Sequence, residues 1–137
     1  EQLLAIEASA TGPELLALKH QYRERFAEAF AAALGELGPA QRNLLRLHYL
    51  HGLSIDELGA LLKVHRSSAA RRIAKARQEL LSDTRRRLAM GPAMGRQDFE
   101  ELMGLIASRL DLSIERFLAE RDGPGSIAAG DHSPGTQ

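Results

Sequence analysis

The stretch SIDELGALLKVHRSSAARRIAKARQEL, residues 54–80, decides the fold. Its first four residues have the spacing of a capping box. The Ser54 hydroxyl can accept from the amide of Glu57, and the Glu57 carboxylate can reach back to the amide of Ser54. The helix opened there is short, Ile55 to Leu62, and is followed by the tight connection Lys63-Val64-His65. A second helix runs from Arg66 to about Leu81, with a continuation to Leu88 open. A short capped helix, a three-residue turn and a longer basic helix together outline a helix-turn-helix.

The crossing of two such helices needs apolar residues on both. Ile55, Leu58 and Leu62 supply one side, Val64 the turn, and Ala69, Ile73, Ala76 and Leu80 the other. At about 100° per residue the last four fall in one narrow stripe. The opposite face carries Ser67, Arg71, Ala74, Lys75 and Gln78, flanked by Ser68 and Arg72 on one side and by Arg66, Ala70 and Arg77 on the other. Ser67, Ala70 and Ala74 are small, so this outer face is slim enough for a DNA major groove about 12 Å wide.

Outward from this core, the chain reads as helical throughout. Leu15, Leu18, Tyr22, Phe26, Ala29, Phe30, Ala33 and Leu37 recur at three- and four-residue steps, predicting one long amphipathic helix from Pro13 to about Leu37. Gly38-Pro39 ends it and starts a short, largely buried helix to about Tyr49, stopped by Gly52. After the loop Gly91 to Gly95, a helix is expected from Gln97 to about Leu110, with Phe99, Leu102, Met103, Ile106 and Leu110 on one face. Ser113 is positioned to cap a last helix from Ile114 to Arg121. The residues divide into a linker or frayed helix at 1–12, a helix-turn-helix domain at 13–88 and a C-terminal helical extension at 96–122. A Gly-, Ser- and Pro-rich tail at 123–137 is expected to be disordered.

The composition agrees. Val occurs once, at Val64, no segment alternates with period two, and Ala, Leu, Arg and Glu dominate, so the fold class is all-α. The chain has no Cys, hence no disulfide framework and no thiolate metal site. No apolar run approaches the roughly 20 residues of a membrane span. The formal charge is zero, but residues 63–87 hold nine basic and two acidic residues, an excess of seven. Such asymmetry points to an anionic partner for one patch, or else to a solvated helix face.

Roles follow from side-chain chemistry. Arg71 and Lys75 can donate to guanine O6 and N7. Ser67 and Ser68, near the helix start, can bond phosphates or base edges. Arg66, Arg72 and Arg77 lie laterally and suit phosphates, the alternative for Arg72 and Arg77 being ion pairs within the bundle, for instance to Glu79 or Glu57. An enzyme is not indicated: there is no Gly-rich phosphate loop and no nucleophile motif. His48 and His51 are three apart on one helix, a metal-compatible spacing, but no third ligand lies near in sequence, so no metal site and no cofactor are expected.

Leu37-Gly-Pro-Ala-Gln-Arg42, Leu45, Leu47, His48-Tyr49, Gly52-Leu-Ser54, Glu57-Leu-Gly59, Leu62 and Arg71-Arg72-Ile-Ala-Lys-Ala-Arg77-Gln-Glu-Leu80 resemble region 4 of bacterial sigma factors of the sigma-70 superfamily. The nearest likeness is to the extracytoplasmic-function group, and it covers roughly Phe26 to Leu81. It implies sequence-specific binding of promoter DNA at the −35 element, docking on the β-flap of core RNA polymerase through the early helices around Leu44 to Leu50, and a cytoplasmic location. Carried over position by position, the promoter contacts fall on His65, Ser67, Ser68, Ala70, Arg71, Arg72, Ala74 and Lys75, with Arg66 beside them and Arg42 close to the DNA backbone. An anti-sigma factor is a further expected partner; a membrane is not. Lys63 stands where the family usually has Gly, His65 where it often has a small hydroxylated residue or Pro, and Ser67-Ser68-Ala69 where it has Gly-Thr-Val. The family also carries region 2, which nothing before Phe26 resembles, and the chain opens at Glu1 without Met, so a fragment is expected. The alternatives are a standalone helix-turn-helix regulator and a protein-interaction module that grips an acidic partner, such as an anti-sigma factor, with the basic helix. The extension, Gln97 to Arg121, completes the core, binds a partner or makes a dimer.

Overall fold

The computed structural model describes residues 13–91 and 94–121. The expected linker at 1–12 and tail at 123–137 lie outside the described residues. Among the described residues six helices follow in order: α1 (Pro13–Glu36), α2 (Pro39–Tyr49), α3 (Ile55–Leu62), α4 (Arg66–Ala89), α5 (Arg96–Ser108) and α6 (Leu110–Arg121). No strand occurs among the described residues.

The chain divides into two compact units. One contains α1, α4 from Lys75 onward, and α5. Ala29, Leu88, Met103 and Ile106 form its buried cluster, with Phe26, Leu81, Phe99 and Leu102 packed around them. The rings of Phe26 and Phe30 lie 5.1 Å apart and tilted, and Phe30 is fully buried. The last carbonyls of a helix lack intrahelical donors; here Arg25 Nη2 donates to the Leu88 carbonyl at 3.0 Å. Arg85 donates to Glu100 at 2.7 Å and lies over the Phe99 ring, 5.1 Å from its centroid. Thr84 is completely buried, and its hydroxyl finds no hydrogen-bond partner among the described residues.

The other unit contains α2, α3, α4 up to Ala74, and α6. α2 packs against both α3 and α6. Leu44 and Leu45 are buried on α2, Leu58 on α3, and Leu110, Ile114 and Leu118 on α6. Tyr49 donates its hydroxyl proton to Asp111 at 2.7 Å, joining α2 to the start of α6. Gly52, at φ +73°, takes the left-handed conformation that reverses the chain after α2. There the His48 Nδ1–H donates to the Leu53 carbonyl at 2.7 Å.

α6 begins at Leu110, not at Ile114, and Ser113 sits inside it, half-buried. The interruption falls one turn earlier, at Arg109, whose φ of −113° leaves the helical region. Leu110, Ile114 and Leu118 form an i, i+4, i+8 stripe, and its burial extends the helix through a residue whose side chain looked like a cap.

Candidate nucleic-acid interface

The helix-turn-helix forms by local rules that the sequence states openly. Ser54 Oγ accepts from the Glu57 amide at 3.1 Å, and Glu57 Oε1 accepts from the Ser54 amide at 2.8 Å, so both halves of the capping box are made. Six residues past Glu57, α3 ends on Lys63, at φ +61° and ψ +45°. The Val64 amide bonds back to the Gly59 carbonyl at 2.9 Å and the Lys63 amide to that of Ala60 at 3.3 Å. This is a Schellman pattern with lysine in the left-handed position that glycine usually holds. Gly59 is where the turn closes on α3. A Cβ there would stand 2.9 Å from the Val64 carbonyl oxygen and 3.4 Å from the Arg66 Cα.

α4 opens at once, with His65 as its cap. The His65 carbonyl accepts from the amides of Ser68 and Ala69, and its ring Nδ1 accepts the amide proton of Ser67 at 3.2 Å. Ala69, Ile73, Ala76 and Leu80 are buried, as the stripe predicted. His65, Arg66, Ser67, Ala70, Arg71, Arg72, Ala74 and Lys75 are exposed, and Ser68 is half-buried. The residues expected to meet DNA on α4 therefore lie on its solvent side. Arg42, on α2, is half-buried and engaged within the protein.

The positive charge is narrower than the count suggests. Arg85 pairs with Glu100, and Asp83 binds both Arg86 and Arg87 from one turn away. Arg77 is half-buried and engaged. Neither Arg72 nor Lys75 makes an ion pair among the described residues, and Arg71 donates only to Ser68 Oγ, at 3.2 Å. Within the basic block, among the described residues, the cations open to an outside partner are thus Lys63, Arg71, Arg72 and Lys75, gathered on the turn and the first half of α4. The second half of the basic block is engaged within its own unit, with Arg86 and Arg87 sharing the single Asp83 carboxylate.

One partner was invisible in the sequence. Arg66 Nε lies 2.5 Å from Asp56 Oδ1, ten residues upstream on α3. Both side chains are largely exposed, 64% and 72%. Such pairs contribute roughly 0–1 kcal/mol, so an incoming phosphate can compete for Arg66. Among the described residues, no group of three His, Cys, Asp or Glu side chains is placed to hold a metal ion. No described helix is long and apolar enough to cross a membrane.

Residues 27–80 match the family model for Sigma-70, region 4. This segment is similar to a sigma-70 region 4 domain. No curated protein and no solved structure gave a match. The region 4 segment begins within α1 and ends within α4, so it contains α2, the whole helix-turn-helix and the four open cations. α5 and α6 lie outside it. The match covers 54 of the 137 residues, so the likeness is one of this segment, and the family it points to is one of DNA-binding domains of transcription initiation.

Proposed function

We propose that this protein reads the −35 element of promoters with the first half of α4 and docks on the β-flap of core RNA polymerase through the α2 region around Leu44 to Leu50, as the region 4 part of an extracytoplasmic-function sigma factor working in the cytoplasm. The observation that carries the reading is the solvent face of α4. Arg71 and Lys75 stand out from it between Ser67, Ala70 and Ala74, whose small side chains let the helix axis approach base edges. Arg71 and Lys75 take the base-reading role, with Ser67 and Ser68 at the helix start. Arg66, Arg72, Lys63 and Arg42 suit the phosphates, which fix register without carrying sequence. An anti-sigma factor is a further partner for this surface.

The test is equilibrium binding of the whole chain to duplexes recovered from a randomised pool, with Arg71→Ala/Lys75→Ala as the comparison. Each base-reading side chain is expected to contribute about 1–3 kcal/mol, so the double variant loses tenfold or more for the selected duplex while its helical content stays unchanged. A pull-down with the isolated β-flap runs in parallel. Flap binding that survives the double substitution separates polymerase docking from the DNA face. An unchanged preference for the selected duplex refutes the assignment of α4 as the reading helix.

A further inference from the structure

His65 does two things at once, and the second follows from the first. A backbone amide can only donate a hydrogen bond. The Ser67 amide points at His65 Nδ1 from 3.2 Å, so Nδ1 must offer its lone pair. Ser67 Oγ lies 2.9 Å from the same nitrogen. The proton of the neutral ring therefore sits on Nε2. The imidazole performs the task that Ser, Thr, Asp or Asn usually performs at the start of a helix. In doing so it fixes both its own tautomer and its orientation. Nε2–H is the one donor left over, on an exposed side chain one residue ahead of the outward strip of α4.

From this geometry we propose that His65 is a specificity-determining residue, held as the Nε2–H tautomer by the Ser67 amide and presenting one oriented donor to an acceptor atom on a base edge in the major groove. This rests on α4 being the reading helix. A flexible lysine in the same place would offer three rotating donors and a full charge, which suits phosphates. A capped neutral imidazole offers a single donor in one direction, which suits an acceptor whose place is set by base identity, such as purine N7, guanine O6 or thymine O4.

Three readouts on the whole chain test it. Histidine-detected 15N spectra of the free protein should show Nδ1 unprotonated and Nε2 protonated; the opposite pattern overturns the proposal. His65→Ser keeps a strong capping side chain and removes the ring donor. It should leave the melting temperature close to that of the parent, reduce affinity for the selected duplex roughly five- to tenfold, and abolish discrimination at one base pair only. Because the lost donor is neutral, the slope of log K against log[salt] should not change. A slope smaller by about 0.9, with a loss equal across all duplexes, identifies a phosphate contact and overturns the proposal. Unchanged affinity overturns it too, while Arg71→Ala/Lys75→Ala still reports on the helix. If the unaltered chain prefers no duplex, both this inference and the −35 reading fall together.

Discussion

The same substitution, glycine to alanine, should have opposite signs at two helical positions of this protein. In a helix interior the change is favourable by about 0.8–1 kcal/mol, because alanine loses less backbone freedom on folding. Gly104 lies inside α5, is exposed, and a Cβ built on it meets nothing within 4 Å. Gly104→Ala should realise that gain in full. Gly59 lies inside α3, but its Cβ would stand 2.9 Å from the Val64 carbonyl oxygen. That atom is main chain, so no rotamer change relieves the contact. The turn must shift instead, and it is held by the Val64-to-Gly59 hydrogen bond and by the first residues of α4. Overpacking of this kind costs about 1–3 kcal/mol, which exceeds the propensity gain. Gly59→Ala should therefore destabilise by about 0.5–2 kcal/mol. At about 3–5 °C per kcal/mol for a chain of this length, melting temperature falls by several degrees for Gly59→Ala and rises by a few for Gly104→Ala. Thermal and urea unfolding followed by circular dichroism would read both. If Gly59→Ala melts at or above the parent, the close approach of the turn to α3 is wrong.

Three further outcomes follow from named contacts. Lys63→Gly should stabilise by about 0.5–1 kcal/mol in urea unfolding, since relief of a left-handed side chain, about 1–2 kcal/mol, outweighs the extra freedom of glycine in the unfolded chain; a loss of stability would show that Lys63 is not strained. Thr84→Val replaces a buried hydroxyl that has no partner and should raise stability by about 1 kcal/mol, whereas a drop would reveal a hidden acceptor or bound water. Asp56→Asn releases Arg66 and removes a negative charge beside the basic face. It should tighten duplex binding and steepen its salt dependence by up to about 0.9 in slope, with stability changed by less than about 1 kcal/mol. An unchanged slope would mean that Arg66 does not reach a phosphate.

What could be seen in the sequence was whatever depends on near neighbours. The Ser54–Glu57 box, the bounds of α2 and α3, and the Ala69–Leu80 stripe are all set by residues three or four apart, where helix geometry dictates who meets whom. The clamp of Asp83 on Arg86 and Arg87 has the same spacing and could have been read in advance. Arg66–Asp56 could not, because ten residues and a reversing turn separate them. His65 as a cap escaped because imidazole is an uncommon choice there, and Lys63 in the left-handed region because its side chain argues against it. Ser113 misled in the opposite direction: its local capping preference gave way to the burial of Leu110, Ile114 and Leu118.

The packing of α6 on α2 bears on how this protein can be cut. The region 4 match stops at residue 80, nine residues before α4 ends and thirty before α6 begins. A fragment trimmed to residues 27–80 would keep the solvent-facing strip of α4 and still lose the helix that shelters α2, along with the carboxylate that receives the Tyr49 hydroxyl. Its newly bared aliphatic surface would seek cover in other copies, so such a fragment would clump in solution and its DNA titrations would report the clumps. Homology boundaries and folding boundaries part company in this chain, and the shortest fragment that keeps α2 covered has to carry the C-terminal helix.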